Sequence, residues 1–232
     1  EATTLQATED LEGWTGEAFL VNQNEVASQT GSLEVYRNAD KDAGFLRVLF
    51  GFAATRSAPA PLVDMVWTGS QFVATGTTTI YTSPDGVTWT TRQSISSPKL
   101  AYNGSLLLAC GSSLNDRVFT STDGITWTQR TTPSVPMGAA AWLGSRWTIL
   151  PSSGTTGLTS TDGITWTTIT VPTANVTKME WNGSLGVAVG TTPMTSTDGL
   201  TWTARTMPTG TYRSVAWTGS LWVAVGDAGK IA

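Results

Sequence analysis

The chain has 232 residues, of which 13% are charged and 40% apolar, with 24 glycines, 11 tryptophans, one cysteine and a formal net charge of −4 at neutral pH. The acidic balance supplies no basic field to neutralise phosphates, which sets aside nucleic acid as a partner. The absence of histidine sets aside histidine-dependent zinc sites, Ser-His-Asp triads and Cys-His pairs.

No apolar run reaches the roughly 18 residues of a spanning helix, so no membrane insertion is expected. Glu1 stands where an initiator Met would, which reads as processing or trimming. Residues 1–45 lack the pattern that dominates the rest. Ala18-Phe19-Leu20-Val21 and Ser32-Leu33-Glu34-Val35-Tyr36 are strand-like, and Trp14-Thr15-Gly16 faintly echoes a later motif. This stretch reads as an N-terminal extension able to serve as a docking segment.

The dominant signal is an internal repeat. Trp217-Thr218-Gly219-Ser220-Leu221-Trp222-Val223-Ala224-Val225-Gly226 recurs from Trp67, Tyr102, Trp142 (a degraded copy) and Trp181, with leading aromatics 35, 40, 39 and 36 residues apart. An aromatic followed by x-Gly-Ser and an apolar run predicts a strand, a tight opener turn and a buried strand. In that run Cys110 reads as a small buried hydrophobe.

A second motif follows in four copies: Ser83-Pro84-Asp85-Gly86-Val87-Thr88-Trp89, then Ser121 to Trp127, Ser160 to Trp166 and Ser196 to Trp202. Its Asp accepts backbone N–H groups and its Gly supplies left-handed geometry, so it predicts a second hairpin. Two hairpins per repeat make four strands, the arithmetic of a β-propeller blade. A parallel β-helix would have shorter rungs and no regular antiparallel turns.

The expected fold is therefore all-β, a five-bladed β-propeller over residues 46–232. The fifth copy ends at Gly229-Lys230-Ile231-Ala232, in register with third strands and short of a fourth. Phe52 precedes Trp67 by 15 residues, as Trp127, Trp166 and Trp202 precede the next leading aromatic. Leu46 to Arg56 is accordingly expected to pair with Lys230 to Ala232 and close the last blade.

Over about residues 63–232 these motifs resemble the Asp-box, or bacterial-neuraminidase repeat, family of β-propellers. The family reads Ser-x-Asp-x-Gly-x-Thr-Trp; this chain reads Ser-x-Asp-Gly-x-Thr-Trp, one residue shorter, similar to variants in phage and bacterial surface proteins. The resemblance implies a propeller in which the box is a turn far from the catalytic face.

No catalytic residue and no cofactor is expected. A sialidase needs converging arginines, a Tyr activated by Glu, and an acid. Arg92, Arg130 and Arg205 instead fall three residues after a box Trp, at positions spread around the ring. Glu180 stands where other copies have Val or Ala. Asp85, Asp123, Asp162 and Asp198 read as turn formers, not calcium ligands, because one hard cation wants six to eight oxygens at one place. Of the glycosylation-like triplets at Asn103, Asn175 and Asn182, two coincide with opener turns.

Comparison of the copies separates scaffold from variable surface. Opener and box turns share one face and are nearly uniform. The second-to-third turns and inter-blade connections share the other and diverge, so function is expected there. Three residues before each leading aromatic stand Asp64, Lys99, Ala139, Lys178 and Ser214. Asp64, Lys99 and Lys178, with Tyr212, Arg213, Asn115, Asp116 and Arg117, form the candidate ligand-binding set; no metal site is expected.

Two functions fit. One is a non-catalytic virion surface component, a phage decoration or tail-tip attachment protein, with other virion proteins or a host surface glycan as partners and self-association allowed. The alternative is a secreted carbohydrate-binding or sialidase-like glycan-processing protein. Both place the chain on a virion or outside the cell.

Overall fold

Each repeat folds as its motifs demand, a ladder of antiparallel strands joined by the two turn types. The computed structural model describes residues 61–95, 99–111, 117–172 and 175–232, together with the backbone of two short strands, β1 (Leu33–Tyr36) and β2 (Arg47–Phe50). The chain divides into two units, residues 1–57 and 58–232.

In the second unit, β3 (Leu62–Trp67), β4 (Phe72–Gly76), β5 (Ile80–Ser83) and β6 (Thr90–Gln93) form one four-stranded sheet in chain order. β7 (Lys99–Tyr102), β8 (Leu107–Cys110), β9 (Val118–Ser121) and β10 (Thr128–Arg130) form the next. β11 (Met137–Trp142), β12 (Trp147–Pro151), β13 (Thr156–Ser160) and β14 (Thr167–Thr170) form the third, and β15 (Val176–Trp181), β16 (Gly186–Gly190), β17 (Met194–Ser196) and β18 (Thr203–Ala204) the fourth. The fifth repeat contributes β19 (Tyr212–Trp217) and β20 (Trp222–Gly226). The architecture is propeller-like and all-β, with four complete blades.

The C-terminal segment takes the third-strand place in the fifth repeat. Val225 bridges Ile231, and Ala224 and Ala232 exchange backbone hydrogen bonds of 2.7 and 2.9 Å. The closing strand is a different matter. Arg47–Phe50, expected on the outer edge of the last blade, pairs antiparallel with Leu33–Tyr36, from Leu33 opposite Phe50 to Tyr36 opposite Arg47. A hairpin between segments so near in sequence closes a short loop, whereas pairing with the C-terminus closes one of nearly the whole chain. Leu46 and residues 51–56 lie outside the described residues.

The opener turns work by positive φ and a side-chain acceptor. Gly104 and Gly183 sit at φ 96° and 99°, while Asn103 Oδ1 accepts the Leu106 N–H at 2.7 Å and Asn182 Oδ1 the Leu185 N–H at 2.8 Å. At the other end of the second strand, Gly190 lets the backbone pass against Asn175 of the inter-blade connection, where a Cβ would collide with the Asn175 carbonyl.

The first strands pack in succession, β3 on β7, β7 on β11, β11 on β15 and β15 on β19, and so line the inside. Between blades, one sheet's forward face meets the next sheet's backward face. Val73 and Ile80 of the first sheet, for example, pack on Leu100, Leu107, Ala109 and Phe119 of the second. The second strands β8 and β12 are buried on both faces, which is why they read as continuous apolar runs.

The register equates Met65 with Leu100 and Val225 with Val189. Leu100 is 5% exposed but Met65 is 50%; Val189 is fully buried but Val225 is 43% exposed. β19 is not packed on β3 as the other first strands are packed on one another. Within residues 61–232 the blades thus form an arc whose first and last sheets each keep one apolar face open.

Candidate functional site

Four box turns have one geometry. In each, the Ser hydroxyl bonds the Asp Oδ1 and accepts the Gly N–H, and Asp Oδ1 accepts two further backbone N–H groups. At Asp123 these are Ile125 at 2.8 Å and Thr126 at 2.9 Å, with Ser121 Oγ at 2.9 Å. Asp162 repeats the pattern with Ile164 at 2.7 Å and Thr165 at 2.8 Å. Such donors stabilise the charged form. The N–H groups of Thr88 and Val87 hold the Asp85 carboxyl at about 2, and those of Thr165 and Ile164 hold Asp162 at about 2. Asp123 and Asp198 are lowered by their equivalents, first Thr126 and first Thr201. Each carboxylate is engaged by its own turn.

The box tryptophans are fastened too. Trp89, Trp127 and Trp166 each donate an indole N–H to the carbonyl of their own box Gly, at 3.2, 3.0 and 3.2 Å. At the fourth box Thr148 of the preceding blade takes that place, donating its hydroxyl to the Gly199 carbonyl at 3.1 Å, and the buried Trp202 N–H has no partner. Gln71 likewise donates to the Asp123 carbonyl at 2.7 Å. The second and fourth boxes are therefore clamps between blades as well as turns.

Three of the predicted contact residues, Asp64, Lys99 and Tyr212, are engaged by the scaffold. Asp64 Oδ2 accepts the Leu100 N–H at 2.9 Å, joining the first two inner strands. Lys99 Nζ lies 3.4 Å from the Thr177 carbonyl, reaching from the second blade to the fourth. Tyr212 is 1% exposed, packs with Val189, Val215 and Ala224, and donates its hydroxyl to the Pro208 carbonyl at 3.1 Å. Its place in the binding set is corrected: the bulge between Tyr212 and Ser214 alters the alternation at the strand's start, and the ring is core.

Arg213 is exposed and makes a two-pronged pair with Asp227, both contacts at 2.8 Å. That hydrogen-bonded pairing raises the guanidinium's pKa and lowers the carboxyl's. Lys178 is half-buried on β15 and Arg117 exposed beside β9; Asn115 and Asp116 lie outside the described residues. Glu180 is half-buried opposite Val187. The repeat-equivalent arginines lie along the outer strands, where Arg92, Arg130 and Arg205 each donate Nε to a third-strand Thr, at 2.7, 2.8 and 2.8 Å. Cys110 is fully buried, and burial pushes its thiol up to about 12, so it is not a thiolate at neutral pH.

One set of repeated residues emerges on the opener side. The leading aromatics Trp67, Tyr102, Trp142, Trp181 and Trp217 end the five inner strands. Trp67 is 49% exposed, and the other four are half-buried. Their repetition was legible; that these rings stay partly exposed was not, because repetition suits core and surface alike.

The arrangement defines a propeller-type scaffold. No family model and no curated protein matches the chain. Among solved structures, the virginiamycin B lyase of Staphylococcus aureus is similar with a TM-score of 0.61 and 11% identity, over 88% of this chain and 83% of that one. A streptogramin B lyase gives 0.57 and 10%, over 87% and 72%. The Neurospora crassa Pan2 WD40 domain gives 0.57 and 10%, over 74% of this chain, which spans 60% of that domain's length. At such identities the likeness is one of fold.

Proposed function

We propose that the chain is a non-catalytic binding and structural module of a virion surface, a phage decoration or tail-tip attachment protein, with five blades of a shortened Asp-box type. Other virion proteins or a host surface glycan are its partners. The observation that carries this reading is the use made of the acidic groups. All four box carboxylates face their own backbone N–H groups, and Asp64 bonds an inner strand. A glycosidase instead holds two carboxyl groups free on either side of the scissile bond. The resemblance of the motif to repeats in phage surface proteins supplies the setting.

The test is to purify virus particles from the native source and quantify this protein in them. A fixed number of copies per particle is expected; its absence from intact particles contradicts the proposal. Turnover of a fluorogenic sialoside that one substitution abolishes contradicts the non-catalytic part.

A further inference from the structure

We propose that Trp67, Tyr102, Trp142, Trp181 and Trp217 form a saccharide-binding surface on the opener-turn side, taking neutral pyranose rings whose substituents are all equatorial, as in β-1,4-linked glucose. This deepens the reading of the chain as a binding module by assigning the surface and the ligand class. It also moves the ligand to the face opposite the variable loops.

The chain holds two sets of repeated tryptophans, and they differ in their polar edge. Trp127 and Trp166 of the boxes are buried, and each N–H is spent on a carbonyl of its own turn. The leading tryptophans Trp142, Trp181 and Trp217 are only half-buried. Among the described residues their indole N–H groups have no acceptor, yet they are not among the buried unpartnered atoms. Those N–H groups therefore meet solvent. A half-buried ring with a wet donor edge suits a ligand that offers apolar C–H faces rimmed by hydroxyls. A ring in which every substituent is equatorial presents C–H bonds on both faces.

Three of the platforms are braced by a neighbouring ring, and four of the five opener turns are open. Trp67 is braced by Phe72 with centroids 4.6 Å apart, Trp142 by Trp147 at 5.2 Å and Trp217 by Trp222 at 5.1 Å, in each case its cross-strand partner. Little side-chain entropy remains to be lost when a ligand stacks. Beside them, the Cβ positions of Gly69, Gly104, Gly183 and Gly219 have no atom within 4 Å, so nothing overhangs these turns; at the fifth opener, Gly144, a Cβ would rest 3.5 Å from the Trp181 indole. Asn103 and Asn182 spend Oδ1 on their own turns, leaving the amide NH2 groups as further donors. The net charge of −4 disfavours acidic sugars, which points to neutral ones.

The experiment titrates the full chain with cellotetraose, followed by tryptophan fluorescence and by saturation-transfer NMR. Saturable binding with a Kd near 1 mM is expected. Trp181→Phe, which keeps a ring and loses the N–H, weakens binding about 3- to 10-fold, the worth of one hydrogen bond. Trp67→Ala weakens it comparably and, at a half-exposed site, leaves the fold intact by circular dichroism; Arg205→Ala, just past the outer strand β18, leaves binding unchanged. Absence of saturation at about 20 mM, a ceiling beyond specific recognition, overturns the proposal. So does binding that neither aromatic substitution alters. Such a failure is separate from that of the virion reading, which rests on particle composition alone.

Discussion

Replacing Asp123 by Ala removes the acceptor of three hydrogen bonds, from the N–H groups of Ile125 and Thr126 and from the Ser121 hydroxyl. The arrangement is that of a helix N-cap transplanted to a hairpin, and cap deletions cost about 0.5 to 2 kcal/mol. Both N–H groups belong to exposed residues, so water replaces part of the loss and the cost falls near 1 kcal/mol. For a unit of this size that lowers Tm by about 2 to 4 °C. Asp123→Asn keeps an acceptor oxygen in place and is expected to lose less than half as much. Differential scanning calorimetry of the two variants beside the parent is the assay. An unchanged Tm in Asp123→Ala, or an Asn variant as impaired as the Ala variant, refutes the argument that the carboxylate serves the turn.

The box carboxyls also set an acid limit. Their folded-state values lie below the ordinary carboxylate value, at about 2 for Asp85 and Asp162. Their contribution is therefore present above about pH 4 and lost as pH falls from there toward 2; urea midpoints measured across that window should fall, and a flat profile contradicts the linkage. Leu100→Ala should cost about 2 to 5 kcal/mol by chemical denaturation, whereas Met65→Ala at the equivalent open position should cost under about 1 kcal/mol. Equal costs would mean that the first sheet's face is covered in solution. Native protein should resist thiol alkylation at Cys110 and react fully once unfolded; rapid native labelling would refute its burial.

The fold was readable because the repeat states its own geometry twice. Aromatic-x-Gly-Ser and Ser-x-Asp-Gly each specify a turn, and the interval between copies leaves room for four strands. The two-turn face followed from antiparallel connectivity alone. The candidate site was less legible. Asp64 and Lys99 were chosen because they vary at equivalent positions, yet variation does not distinguish a side chain facing solvent from one bonding the neighbouring strand. Tyr212 is core because a bulge intervenes, and no residue type in Tyr-Arg-Ser announces one. The closing strand was inferred from the spacing of Phe52; spacing along a chain does not choose between a near partner, Leu33–Tyr36, and a distant one. The leading tryptophans share residue type and periodicity with those of the boxes, and burial together with the fate of the indole N–H separates Trp127 and Trp166 from them.

That separation can be measured directly. In uniformly 15N-labelled protein the indole N–H of each tryptophan gives its own signal, assignable by single substitutions, and its exchange with deuterium can be timed. The N–H groups of Trp127 and Trp166, buried and bonded to Gly124 and Gly163, should exchange slowly, on the scale of blade opening. Those of Trp142, Trp181 and Trp217 should exchange within the dead time. Fast exchange at the boxes, or protection of the leading set equal to theirs, would contradict the division of the repeat into an inter-blade clamp and an aromatic surface.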